Sequence, residues 1–335
     1  LFDELINEGY NSANLYQGLA MMQKNAGKND EAVATLQKGM KAFPNELALV
    51  IDMINIYLES GRETDAIDAM LKAIELDPKN HQLYFVTGVA YAKIKNNDKA
   101  LEYYNKALEM KGVDADYAAF QKAISYGFVN RNDKKSEDLN ALLKNFPKSQ
   151  YRDDALFELG NTYTNENKSD LAIKTYDQLV NEYKNSSFAA KATLRQGLIY
   201  YNSDRDQQAL TKFKKVAAEF PKTPEALEAV STARLIYVDK GQVDEYAAWV
   251  KTLSFIEVSD ADLDNDTYES AEKQYLQNNS KQAISGFSSY VSKFPNGLHA
   301  LKANFYLAQL YFADNLEANS VKHYEFVVSK PRNEF

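Results

Sequence analysis

Residues 151–221 read YRDDALFELGNTYTNENKSDLAIKTYDQLVNEYKNSSFAAKATLRQGLIYYNSDRDQQALTKFKKVAAEFP, and one pattern occurs in them twice. Leu156, Leu159, Gly160 and Tyr163 stand at spacings of three, one and three, and Ala172, Tyr176 and Leu179 follow at four and three. Thr193, Gln196, Gly197 and Tyr200 repeat the first set, and Ala209, Phe213 and Val216 repeat the second. Gly160 to Gly197 is 37 residues, as is Ala172 to Ala209. Such spacings put each set on one face of a helix, so the repeating unit is a pair of helices.

Each position has a packing reason. Antiparallel helices approach closely only where side chains are small, so Gly160 and Ala172 are expected where helix A and helix B of one hairpin touch. A bulkier residue at either costs about 1–3 kcal/mol through overpacking. Tyr163 and Tyr176 are expected to fill the space between neighbouring hairpins, with their hydroxyls at a polar edge. Phe220-Pro221 closes the second copy, because Pro disfavours helical geometry in the residue before it.

Outward from this pair the same positions return. Copy one has Tyr16, Leu19 and Ala20, then Ala32, Leu36 and Gly39, and stops at Phe43-Pro44. Copy two has Val50, Met53, Ile54 and Tyr57, then Ala66, Met70 and Ala73, and stops at Asp77-Pro78. Copy three has Tyr84, Thr87, Gly88 and Tyr91, then Ala100, Tyr104 and Ala107, ending near Gly112. Copy four is degenerate: Ala123 holds the small position and Lys135 stands where Ala is expected, though Leu139 and Leu142 keep the apolar stripe. Copy seven keeps Ala233 and Tyr237 but puts Tyr246 at the small position of its second helix, with Trp249 nearby, which predicts a distorted hairpin. Ser254 to Asp266 then reads as an acidic connection. Copy eight has Ala271, Ala283, Phe287 and Tyr290, and copy nine Leu307, Ala308, Tyr311, Ser320, Tyr324 and Val327.

The pitch is 34 in the first three copies and 37 in the later ones, which predicts two sub-arrays, 1–112 and 113–335, with a bend between them. Leu1 to Gly9 reads as the second helix of an incomplete hairpin, and Arg332 to Phe335 as the start of a further one, so the chain is expected to be an excerpt or a processed form. About three-quarters of it is expected to be helix, with no strands, well above the usual share.

At 335 residues the chain exceeds what one compact core supports, which calls for several domains or a repeat array. Forty-five per cent apolar and 26% charged residues describe a folded protein. The net charge of −8, with no long basic run, argues against binding to a nucleic-acid backbone. With no Cys there is no disulfide, no thiolate nucleophile and no Cys-ligated zinc, a composition that suits an oxidising compartment. The apolar runs are shorter than the roughly 18 residues of a spanning helix.

The small residue and aromatic on one helix, followed by Ala and an aromatic on the next, resemble the tetratricopeptide repeat. The resemblance covers the whole chain. It implies an all-α fold, a right-handed α-α superhelix (solenoid) of about nine hairpins. Residues 113–335 are narrower in kind. Asn145-Phe146-Pro147-Lys148-Ser149 and Glu219-Phe220-Pro221-Lys222-Thr223, followed by Asp154-Ala155 or Glu225-Ala226, resemble repeats of bacterial envelope proteins such as the barrel-assembly lipoprotein and the periplasmic coordinator of the Tol system. Lys184 replaces the Pro in copy five. This likeness implies a protein-binding scaffold in the periplasm or at the outer membrane. The consensus-like first three copies motivate an alternative, a cytoplasmic co-chaperone-like peptide binder; a helper domain of a larger enzyme is another. The chaperone-tail clamp of the family is excluded, because Gln17 and Met21 stand where Lys and Asn are needed.

No motif carries catalysis. Gly-rich phosphate loops, nucleophile elbows and triads are missing, so no enzyme and no cofactor are expected. His81, His299 and His323 lie in different copies, without metal-ligand spacing, and read as surface residues. Asp260, Asp262, Asp264 and Asp266 imitate the start of a calcium loop, but Asn265 takes the required Gly place and Ala271 the closing Glu. They read better as an acidic lead-in to the positive end of the next helix. The expectation is no metal.

What remains is the inner face. In the family helix A lines it, and the residues just after the consensus positions point inward. That register nominates Ile51, Leu58, Phe85 and Val89 in the first sub-array, and Phe157, Asn161, Leu198, Tyr201, Tyr306 and Phe312 in the second. They form either a groove for a partner's extended segment or helix, with aromatic anchors, or ordinary packing between hairpins. The expected partner is a protein, with no nucleic acid and no membrane span.

Overall fold

A computed structural model describes residues 12–112, 114–331 and 335. Among them are eighteen helices and no strand, and 76% of these described residues are helical, as the spacing predicts. In chain order they make nine helix–turn–helix hairpins. The first five are α1 (Ala13–Asn25) and α2 (Asn29–Ala42), α3 (Leu47–Glu59) and α4 (Glu63–Leu76), α5 (His81–Lys93) and α6 (Asn97–Glu109), α7 (Ala115–Phe128) and α8 (Asn132–Asn145), and α9 (Arg152–Asn165) and α10 (Ser169–Glu182). The last four are α11 (Ala189–Tyr201) and α12 (Asp206–Glu219), α13 (Pro224–Asp239) and α14 (Val243–Val250), α15 (Asp260–Leu276) and α16 (Ser280–Lys293), and α17 (Ala300–Ala313) and α18 (Glu317–Val328). Two compact units are present, one up to Thr175 and one from Tyr176, and each is a stack of hairpins with helix on helix throughout. The pitch boundary near Gly112 lies inside the first unit. The incomplete hairpin expected at Leu1–Gly9 lies outside the described residues, as does most of Arg332–Phe335.

The turn inside every hairpin has one design. Its next-to-last position is left-handed, at Gly27, Gly61, Lys95, Asn130, Asn167, Asp204, Gly241, Asn278 and Asn315. The next N–H reaches back to a carbonyl of helix A, as from Arg62 to Tyr57 (2.8 Å), Lys168 to Tyr163 (2.8 Å) and Arg205 to Tyr200 (2.9 Å). This closure satisfies a terminal carbonyl, and Gly or Asn adopts the conformation at least cost. The turns also measure the pitch. Gly27, Gly61 and Lys95 are 34 apart, Asn130 follows at 35, and Asn167 to Asn315 recur every 37.

Hairpins end where the sequence indicates. Helices stop at Ala42, Asn145, Glu219 and Lys293, and the pre-proline Phe43, Phe146, Phe220 and Phe294 leave helical geometry with φ between −122° and −132°. Copy five stops at Glu182 although Lys184 replaces the Pro. There the backbone turn from Ser186 to the Tyr183 carbonyl (3.0 Å) suffices.

The close approach of the two helices rests on the small positions. Gly160 and Ala172 are both buried. A Cβ on Gly197 would lie 2.5 Å from the Phe213 ring, and one on Gly88 2.8 Å from the Tyr104 ring. In hairpins three and six the second-helix aromatic therefore lies on its own hairpin's glycine, fully buried, and Tyr176, expected between hairpins, is fully buried too. At Tyr104 burial leaves the hydroxyl without a hydrogen-bond partner and pushes its pKa up. The first-helix aromatic behaves as expected: the Tyr163 hydroxyl accepts from Asn140 of the preceding hairpin at 3.0 Å. In hairpin four, Lys135 extends past the small position to pair with Glu158 at 2.6 Å, while Leu139 and Leu142 are buried.

Hairpin seven is distorted, and the turn register shows why. Counting 37 from Gly197 and Ala209 places Arg234, not Ala233, at the small position of helix A and Tyr246 at that of helix B. Ala233 is a buried core residue one place earlier. Two large side chains occupy the close approach, so α14 runs for 8 residues where α12 runs for 14. Leu253, Phe255, Ile256 and Val258, in an irregular segment, cover the apolar surface that the missing turns leave open. The acidic connection is shorter than expected, because Asp260 to Asp266 belong to α15. Ser259 and Asp262 form a reciprocal cap at its start (3.2 and 2.9 Å), which supports the lead-in role for that turn. Asp264 and Asp266 are buried within the helix.

Candidate protein-binding faces

In the first unit the A helices carry a row of aromatic rings. Phe85 of α5 lies 5.2 Å from Tyr117 of α7, Tyr117 stacks on Tyr151 at 4.6 Å, and Phe120 lies 6.0 Å from Tyr151. All four are half-buried. Tyr151 precedes α9 and is set by its own N–H on the Ser149 hydroxyl (3.1 Å), while Gln150 donates to its hydroxyl (2.9 Å). Three successive hairpins thus present flat aromatic surface, of the kind that anchors a bound protein segment.

The nominated residues fall into four groups. Phe85 is in this row, and it also touches the buried Tyr104 at 6.0 Å. Leu58 packs on the core of hairpins one to three, Leu198 and Tyr201 on that of hairpins six and seven, and Tyr306 on that of hairpins eight and nine. Val89, Phe157 and Asn161 are half-buried on their A helices. Ile51 and Phe312 are exposed, at 37% and 65%. The register names Phe85 of this row and omits Tyr117 and Tyr151, because it begins after the consensus positions and passes over rings at or before the helix start.

In the second unit Tyr306 stacks on Tyr275 at 4.4 Å, and the Lys302 ammonium lies 5.5 Å and 5.8 Å from the centres of the Tyr268 and Tyr306 rings. Lys302 also pairs with Glu272 at 2.8 Å, and Tyr268 donates to the same carboxylate at 2.7 Å. Burial alone would raise Glu272, but these two bonds hold it below the usual range. Burial first, and then Glu272, pushes Tyr268 up. His299 stacks on Tyr268 at 4.2 Å, and His323 lies 2.7 Å from the Asn304 amide oxygen and 5.7 Å from the Tyr311 ring. Both histidines are partly exposed, and each is stacked on a tyrosine. Burial, with Lys322 second, pulls His323 below its ordinary pKa.

Hairpins seven and eight enclose a cleft of about 530 Å³ between α13, α15 and residues 256–258. Leu227, Val230, Ile256, Val258 and Leu298 supply apolar wall, and Leu298 is 84% exposed. At its side Arg234 donates through Nε (2.8 Å) and Nη2 to one oxygen of Asp266, and through Nη2 to Glu269 (3.3 Å). The hydrogen bond to Asp266 raises the Arg234 pKa. Asp264 accepts from the Tyr290 hydroxyl (2.5 Å) and the Leu298 N–H (2.9 Å), which fixes the loop carrying Leu298. Sequence reading placed these aspartates in a connection and saw none of this.

Among the described residues no group of three or more His, Asp or Glu is placed to hold a metal ion, and no helix is long and apolar enough to cross a membrane. The tetratricopeptide-repeat profile matches residues 7–120, and a second profile of the same description matches 154–186 and 191–223, together more than half of the chain. The chain belongs to the tetratricopeptide-repeat family. Such repeats mediate contacts between proteins. Anaphase-promoting complex subunit 3 of Dictyostelium discoideum is 25% identical over 112 residues, 33% of this chain, and the match spans 11% of that protein. A solved structure of Naa15/Naa10 bound to HypK-THB is 13% identical, with 98% of this chain and 55% of that one covered at a TM-score of 0.56. The C-terminal part of a tetratricopeptide-repeat protein from Cytophaga hutchinsonii is 17% identical, with 68% and 91% covered at 0.55. At these identities the two structures share the fold with this tetratricopeptide chain.

Proposed function

We propose that this protein is a noncatalytic scaffold that holds partner proteins along the A-helix faces of its hairpins, as part of a bacterial envelope assembly in the periplasm or at the outer membrane. The observation that carries the binding reading is the row Phe85, Tyr117, Tyr151 and Phe120, in which three hairpins offer adjoining half-buried rings on one face. A repeat stack offers a long surface of this kind without a single deep pocket. The envelope setting is supported by the likeness of residues 113–335, with their Phe-Pro-Lys endings, to envelope-protein repeats, and by the absence of cysteine. Affinity purification of the tagged chain from a membrane fraction tests both parts. Envelope proteins should co-purify with the wild type and be depleted with Tyr117→Ala/Tyr151→Ala. Recovery of cytosolic partners alone, or of no protein, would overturn the proposal.

A further inference from the structure

The cleft beside hairpin seven is built from residues that the other hairpins do not place there. Counting by 37, Arg234 stands where hairpin six has Gly197, and Asp266 where Ala155, Ala192, Ala229 and Ala303 are fully buried. A buried ion pair adds little net stability over well-packed small residues, so packing alone gives no reason for it. Both bonds from Arg234 end on Oδ1, and the second carboxylate oxygen, Oδ2, is buried beside the cleft with no hydrogen-bond partner. A buried carboxylate oxygen left without a donor is costly, and the cleft is where a donor can be supplied.

The opposite wall offers backbone groups that no other described part of the chain uses. Residues 256–258 lie in the segment that replaces the missing turns of α14, and among the described residues the backbone N–H and C=O groups of Glu257 and Val258 make no hydrogen bond within the chain. Free backbone groups beside a groove are what an extended chain pairs with, leaving alternate side chains to enter pockets. Glu257, Asp262 and Asp266 line the cleft against the one guanidinium of Arg234, so the occupant should be positively charged.

We infer that this cleft takes an extended segment of a partner protein, paired with the backbone of Glu257 and Val258, seating apolar side chains against Leu227 and Leu298 and directing a Lys or Arg to Asp266. The inference rests on the scaffold reading and specifies one of its surfaces. Fluorescence anisotropy with labelled decapeptides tests it on the full chain. The probes are one alternating Val or Leu with Lys, its Lys-to-Glu counterpart, a form N-methylated on alternate amides, and an Ala-rich helical peptide of equal charge. The Lys probe should bind, the Glu and N-methylated probes at least about tenfold more weakly, and Leu298→Asp should weaken the Lys probe by a similar factor. Leu298 is 84% exposed, so that variant keeps the fold, which circular dichroism checks. Absent binding of the Lys probe, equal binding of the Glu or N-methylated probe, preference for the helical peptide, or indifference to Leu298→Asp would each overturn it. Envelope partners that co-purify with Leu298→Asp as with wild type would sink the cleft and leave the scaffold reading standing.

Discussion

Hairpins six and seven are consecutive, belong to one unit, and differ in the residues that let two helices lie together. Hairpin six sets Gly197 and Ala209 at the close approach and Phe213 on the glycine; hairpin seven sets Arg234, Tyr246 and Val250 at the same places. In the first, α12 runs its full 14 residues; in the second, α14 ends after 8. Small residues at the approach therefore decide how far helix B can follow helix A. Where they are lost, the chain covers its core with an irregular apolar segment, and charge enters positions that alanine fills elsewhere. The regular hairpin is built for stacking, and the interrupted one leaves groups for something else to meet.

The comparison breaks most readily at the rings. Phe213→Ala should destabilise the second unit by about 3–5 kcal/mol, and Val250→Ala by distinctly less, in denaturant unfolding; equal losses would mean the two positions are not structurally distinct. Next in size, Arg234→Gly should cost about 3 kcal/mol, because it leaves Asp266 charged and buried. Arg234→Gly combined with Asp266→Ala restores the residues of hairpin six, and should recover most of that loss; a double-mutant cycle measures it. Gly197→Ala should cost about 1–3 kcal/mol by forcing the Phe213 ring away, whereas Arg234→Lys, at the matching place, should leave the hairpin fold intact by circular dichroism.

Smaller effects sharpen the contrast at its edges. Ser259→Ala removes the reciprocal cap that restarts regular structure after the interruption, and should lower stability by about 1 kcal/mol. In hairpin nine, packed regularly again, His323 is neutral and pulled below its ordinary pKa by burial. A lowered folded-state pKa means the unfolded chain binds the proton first. The stability it contributes is complete above the ordinary value near 6.5 and is lost as pH falls below it. Melting temperature measured from pH 7.5 to 5 should therefore drop more for wild type than for His323→Gln.

Much of the fold was legible because packing imposes a period. Gly160 and Gly197 revealed the unit, and pre-proline Phe residues marked the stops. Hairpin seven was misregistered by one place because Ala233 is small and buried beside Arg234, and a search for small residues accepts it; counting 37 from Gly197 does not. Asp264 and Asp266 were read as loop because a run of aspartates suggests one, although Ser259 with Asp262 three residues on is a helix-start signature. Of the aromatic row, helix register names Phe85. It does not name Tyr151, whose ring is positioned by a turn before α9, and the pairing of Arg234 with Asp266 depends on neighbours that no single helix reveals.

The proposed partner surfaces are the A-helix faces of the first unit and the cleft beside hairpin seven. Photo-crosslinking from those surfaces tests this most directly, with the crosslinking residue put at Tyr117, at Leu298, or at Thr211, which is exposed on helix B of hairpin six. Adducts to envelope proteins from Tyr117 and Leu298, and none from Thr211, are the predicted result. Adducts from Thr211 with neither of the others would contradict it.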